Sequence, residues 1–127
     1  MARAPKLQGE VEALPQSDQI EGLPHPRATR ALIGHEAQKK AFTDAVASGR
    51  LHHAWLLAGP RGLGKASFAY QAAAMLLTKN PGFGFDDHHP AAKRIRQATH
   101  GNMRVLSRTW DPSGKKFRAN IRVDEVR

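Results

Sequence analysis

His53-Ala54-Trp55-Leu56-Leu57-Ala58-Gly59-Pro60-Arg61-Gly62-Leu63-Gly64-Lys65-Ala66-Ser67 is the stretch on which the architecture turns. Its first six residues are an apolar run without alternation, the pattern of a central strand covered on both faces. Gly59–Ser67 then approaches G-x-x-x-x-G-K-[ST], a phosphate-binding loop between strand and helix. Glycine is needed there because backbone N–H groups must approach phosphate oxygens closely, with no Cβ in the way. The helix that follows points its unpaired N–H groups and positive dipole end at the anion. Lys65 adds a point charge for the outer phosphates. The candidate binding set is Gly59, Pro60, Arg61, Gly62, Leu63, Gly64, Lys65, Ala66 and Ser67, and the ligand expected of it is ATP. Arg61, at a variable position, is read as facing solvent or a neighbouring subunit.

One position departs from the pattern. Ala66 stands where a Ser or Thr hydroxyl normally binds Mg²⁺. Ser67 follows directly, but one step along a helix rotates a side chain by about 100°. Phosphate binding by backbone and Lys65 survives this change, while Mg²⁺-assisted hydrolysis is impaired, so no catalytic residue is assigned. An acidic partner for the loop has one candidate, Ile121-Arg122-Val123-Asp124-Glu125. The alternation through Arg122 reads it instead as a half-exposed strand leading to a helix capped by Asp124.

Outward from the loop, Lys65–Lys79 is a helix with almost no polar face. Phe68, Ala72, Met75 and Leu76 form one stripe, and Ala69, Ala73 and Leu77 widen it, so the helix must pack on more than one side. Asn80-Pro81-Gly82 ends it. Upstream, Glu36–Ser48 is an amphipathic helix with Ala41, Phe42, Ala45 and Val46 inward, ended by Gly49. Downstream come a loop over Gly82–His89, a helix around Ala91–Thr99, and strands at Met103–Ser107 and Phe117–Val123. Asp111-Pro112-Ser113-Gly114 between the strands carries turn chemistry. Residues 1–26, with Pro5, Pro15, Pro24 and Pro26 and few large apolar groups, are read as a disordered or draped extension. Folded sequence is expected over 27–127. The elements suffice for an α/β domain with a parallel sheet core and a hairpin insertion, but not to close that sheet, so a fragment or truncated reading frame is expected.

The chain has 127 residues, 40% hydrophobic and 24% charged, which suits one soluble domain rather than two. No run approaches the roughly 18–20 apolar residues that span a membrane. Cysteine is absent, which removes disulfides and thiolate zinc sites and is compatible with the cytoplasm. Residues 93–127 hold ten Lys/Arg against three Asp/Glu, whereas 1–92 hold ten against eight. So basic a segment can attract nucleic acid or other polyanions. With no aromatic residues interleaved in a stacking pattern, it is read as a solvated face. Trp110, beside the turn, is either a contact residue or a cover for the hairpin's base. His88-His89 beside Asp86-Asp87 are loop residues rather than metal ligands, since adjacent side chains rarely converge on one ion.

Arg50-Leu51-His52-His53-Ala54-Trp55-Leu56-Leu57, followed by the glycine-rich loop, resembles the start of a bacterial clamp-loader AAA+ module, a partial P-loop NTPase domain. Leu32-Ile33-Gly34-His35-Glu36 resembles the segment that in AAA+ proteins precedes the first helix near the adenine. With Leu23-Pro24-His25-Pro26-Arg27 and Val123-Asp124-Glu125-Val126-Arg127, the chain resembles, over Glu21–Arg127, the delta-prime group of DNA polymerase III subunits in its alphaproteobacterial form. The resemblance implies a cytoplasmic stator rather than a motor. Its implied partners are the other clamp-loader subunits, the sliding clamp and primed DNA, with no membrane. The group's relatives often carry a cysteine zinc module after the loop helix, and Phe83–Gly101 has no cysteine for one. The group's acidic motif, Ser-Arg-Cys segment and collar would all follow Arg127. Two other functions fit the loop: a hydrolysing motor-type clamp-loader ATPase, and a small P-loop kinase with an arginine-rich lid. A chain too short to fold stably is a further reading.

Overall fold

The structure, a computed structural model, describes residues 15–29 and 31–126. Most of the extension expected over 1–26 lies outside the described residues. The chain forms two units, Asp18–Val105 and a second to which the residues from Leu106 onward belong.

The first unit is assembled round the loop helix. Helix α1 spans Glu36–Ala47, α2 spans Lys65–Thr78 and α3 spans Pro90–Arg96. Gly49, at φ 70°, takes the left-handed conformation expected where α1 stops. α2 ends through left-handed Lys79, whose N–H donates to the carbonyl of Met75. Asn80 Oδ1 then accepts from Gly82 N–H at 3.3 Å. α3 is the helix expected around Ala91–Thr99, starting one residue earlier and ending three earlier: His89 Nδ1 caps it by accepting from Ala91 N–H at 3.1 Å, and Pro90 occupies its first turn. One member of the His88-His89 pair is thus a helix cap.

α2 packs on two sides, as its missing polar face requires. On one side Phe68, Ala72 and Met75 join Phe42 of α1, with Leu32, Val46, Leu51, Leu57 and Phe83 around them. On the other, Tyr70 and Ala74 meet Ile95 of α3, with Leu77, Phe85 and Met103. Ile95 is the largest fully buried side chain, 1% exposed. Leu76, expected on the inner stripe, is instead 41% exposed, because two flanking layers leave its side of the helix uncovered. Gln71 is buried, and its Nε2 has no partner among the described residues.

A strap runs upstream of α1. His25 is buried; its Nε2 pairs with Asp18 Oδ1 at 2.9 Å and its Nδ1 accepts from Arg27 N–H at 3.1 Å. The imidazole meets Tyr70 edge-on, centroids 5.6 Å apart. A 3-10 turn over Pro26–Ala28 follows. Arg27 Nε donates to the carbonyl of Arg96 at 3.2 Å, and Arg96 Nη1 returns a bond to the carbonyl of Ala28 at 3.1 Å. Ordered contacts therefore reach at least as far upstream as Asp18, ahead of the Arg27 boundary read from composition; those at Asp18 are carried by a histidine and a carboxylate, which hydrophobicity does not register.

His53–Ala58 forms no ladder among the described residues. Leu57 reaches the α1–α2 core and Trp55 meets the Phe42 ring edge-on at 5.3 Å, but Leu56 is 91% exposed. An apolar run is buried on both faces only when neighbouring strands and a second layer are present to cover it. In the second unit, β1 (Trp110–Asp111) and β2 (Lys116–Phe117) pair antiparallel, Trp110 opposite Phe117 and Asp111 opposite Lys116. The ladder is shorter than the two strands expected, and Met103–Ser107 is not part of it. α4 spans Val123–Val126, so Asp124 lies within a helical turn rather than before it. It pairs with Arg122 at 3.6 Å.

Candidate functional site

The loop's geometry follows from its glycines. Gly59, Gly62 and Gly64 have φ of 154°, 87° and 89°, values that a side chain tolerates poorly. A Cβ on Gly64 would lie 2.9 Å from Leu32 Cδ1, and one on Gly59 3.0 Å from Leu63 Cδ1. Both positions are strained for any side chain by their conformation, and a Cβ there would also have to displace a leucine methyl. Gly64 is the N-cap of α2 and gives no side-chain cap, so the first-turn N–H groups face the loop uncapped. The first intrahelical bond runs from Phe68 N–H to the carbonyl of Gly64 at 2.9 Å.

Lys65 closes over the loop. Its Nζ donates to the carbonyls of Gly59 at 2.6 Å and Pro60 at 2.8 Å. The ammonium therefore sits at the loop's mouth, next to the uncapped helix end. Pro60, Arg61, Gly62 and Leu63 are exposed around it, and Arg61 faces solvent. Ala66 and Ser67 are half-buried at the start of α2. Ser67 Oγ lies 3.4 Å from Thr29 Oγ1 of the strap, to which it donates.

Beside the loop is a cleft of about 240 Å³ whose lining includes His35, Gln38, Leu57, Leu63, Lys65 and Phe68. His35, left-handed at φ 57°, precedes α1. Its Nε2 lies 2.8 Å from the carbonyl oxygen of Leu63, an acceptor, which makes Nε2–H the donor. Lys39 bonds the carbonyl of Leu32 from the same helix. The segment before α1 is thus tied to the loop across 28 residues of sequence. Gln38 and Thr29 were not legible as neighbours of the loop, since nothing local in the sequence relates them to it.

The residues fit a phosphate ligand: uncapped N–H groups, three glycines at positive φ that a side chain tolerates poorly, and one ammonium. They do not fit a bound Mg²⁺, because Ala66 offers a methyl group and the Ser67 hydroxyl is directed to Thr29. Among the described residues no group of three or more His, Cys, Asp or Glu is gathered as a metal site. No helix among them is long and apolar enough to cross a membrane.

A glycine-rich loop opening a helix that is packed on two sides is the arrangement present. Residues 34–127 match the family described as DNA polymerase III, delta subunit, and the chain belongs to that clamp-loader family. It is 40% identical over 55 residues to the DNA polymerase III subunit gamma of Buchnera aphidicola subsp. Acyrthosiphon pisum (strain APS), which is 43% of this chain and 15% of that protein. It is 39% identical over 51 residues to the subunit of the same name from Buchnera aphidicola subsp. Schizaphis graminum (strain Sg), covering 40% of this chain and 14% of the relative. The chain thus matches about one seventh of the length of these relatives. No solved structure is significantly similar.

Proposed function

We propose that residues 27–127 are the N-terminal part of an AAA+ P-loop domain, α/β with a parallel sheet core, in a delta-prime-like subunit of a DNA polymerase III clamp loader. In this reading the subunit is a stator. It joins the other clamp-loader subunits, the sliding clamp and primed DNA in the cytoplasm, and contributes assembly rather than ATP turnover. The loop Gly59–Ser67 holds the phosphates of ATP through backbone N–H groups and Lys65. The cleft beside His35 and Gln38 is the place open to the rest of the nucleotide.

One observation carries the reading. Ala66 leaves the helix start without a hydroxyl for a metal ion, and the next hydroxyl, on Ser67, donates to Thr29 at 3.4 Å. Phosphate affinity then depends on fixed N–H dipoles and one ammonium, which do not replace the metal ion that bridges the β- and γ-phosphates during hydrolysis.

The test is nucleotide binding and turnover by the purified chain, with and without Mg²⁺. ATP is expected to bind with an affinity that Mg²⁺ changes little and to show no hydrolysis above background. Lys65→Ala lowers that affinity. Robust Mg²⁺-dependent hydrolysis that disappears in Lys65→Ala would establish the motor reading and sink the stator. Phosphate transfer to a small acceptor would establish the kinase.

A further inference from the structure

Residues 88–123 contain nine Lys/Arg and a single acidic residue, Asp111. Read linearly, the stretch lacks the aromatic interleaving of a nucleic-acid surface. The hairpin supplies it. Trp110 and Phe117 are paired across β1 and β2 and therefore share a face, their rings 5.2 Å apart and edge-to-face. The Arg108 guanidinium lies 6.0 Å from the Phe117 ring centroid on the same side. Arg118 N–H donates to the carbonyl of Thr109 at 2.9 Å, extending the pairing one step beyond the ladder.

The tip is bonded within itself and basic. Asp111 Oδ1 accepts from Ser113 N–H at 3.1 Å and Ser113 Oγ at 2.7 Å, so its carboxylate is engaged inside the turn. Lys115 and Lys116 are exposed beside it, and neither has an acidic partner within ion-pair distance among the described residues. Residues 108–118 thus carry four cations against one internally bonded anion.

We infer that the hairpin Arg108–Arg118 is a nucleic-acid contact surface, with its lysines and arginines on the phosphodiester backbone and the Trp110–Phe117 face against bases. An acidic protein would satisfy the cations alone. It would leave the exposed part of the ring pair without the flat partner that a base provides. This surface uses none of the residues of the loop at Gly59–Ser67, and the inference stands whether or not that loop holds nucleotide.

The experiment uses the full chain with Trp55→Phe, which leaves Trp110 as the sole tryptophan. Oligothymidylate is titrated in while Trp110 fluorescence is followed at several salt concentrations. Quenching is expected, with an affinity that falls as salt rises. Lys115→Glu/Lys116→Glu is expected to weaken binding about tenfold or more and to flatten the log–log salt slope by about 1.4, two single-strand phosphate contacts. Lys115→Gln/Lys116→Gln, less disruptive at the turn, gives a smaller loss in the same direction. Lys40→Glu/Arg50→Glu makes the same change of net charge in the other unit and is expected to leave binding within about twofold. Three results would each overturn the inference: no quenching at low salt, equal weakening by the Lys40/Arg50 pair, or displacement by poly-glutamate as effective as by oligothymidylate.

Discussion

On one flank of α2, Phe68 meets Phe42 and Phe83 with centroids 6.4 and 4.7 Å away, and among the described residues no hydrogen bond between side chains joins these layers. On the other flank Tyr70 and Ala74 meet Ile95, but polar ties run beside them: Asp18 to His25, Arg27 to the Arg96 carbonyl, and Arg96 to Ala28 and Asp87. The first flank is held by apolar area and ring geometry, which are non-directional and tolerate small shifts. The second is held by directional bonds to backbone carbonyls, which fix the strap's register against α2 and α3. The difference bears on the loop. Its lysine and glycines lie at the end of α2 that the aromatic flank supports, while the hydroxyl of Ser67 faces the strap.

The largest effect is expected from the aromatic flank. Phe42 touches Trp55, Phe68 and Phe83 edge-on, so Phe42→Ala removes the hub of the cluster. A loss of about 3–5 kcal/mol is expected, read from the denaturant midpoint. A loss below about 1 kcal/mol would mean that the flank is not a cooperative core.

A smaller effect is expected on the polar flank. Arg96→Ala removes the bond to the Ala28 carbonyl, the 2.9 Å pair with Asp87 and the contact with the Phe85 ring at 4.1 Å, while its own carbonyl keeps Arg27. The Asp87 side of that pair is largely exposed, so the ion pair adds little. The expected cost is about 1–2 kcal/mol. Amide exchange over residues 18–29 should quicken more than over α1. Equal quickening in both would dissolve the distinction between the flanks.

The smallest effect is confined to alkaline pH. Burial, and then the Asp18 charge, raise the Tyr70 phenol above its ordinary value. A raised value in the folded state means stability that is complete below about pH 10 and is lost as pH climbs through the folded value. Tyr70→Phe should remove that alkaline slope. As the chain's single tyrosine, Tyr70 can be titrated directly by ultraviolet absorbance. Ionisation at or below the ordinary value would show that the polar flank does not bury it.

Much of the site can be read from residues alone. Helices at Glu36 and Lys65, the stop at Asn80 and the turn at Asp111 follow from periodicity and local turn chemistry, which act over a few residues. Three features could not be read so. The ammonium of Lys65 on the Gly59 and Pro60 carbonyls depends on the loop's closed path. His35 on the Leu63 carbonyl and Ser67 beside Thr29 join positions 28 and 38 residues apart. α3 begins with a histidine cap, which residue preference alone ranks poorly.

The sequence by itself determined where backbone must bend and which helix must be buried twice. Glycine spacing and the lack of a polar face are local properties of the chain. It also determined, through Ala66, that a hydroxyl is missing from the start of α2. Tertiary structure alone decided where the neighbouring Ser67 hydroxyl goes, which ring meets which, and that Trp110 and Phe117, with six residues between them, share a face with Arg108. Those outcomes rest on long-range packing and strand register, which no window of sequence contains.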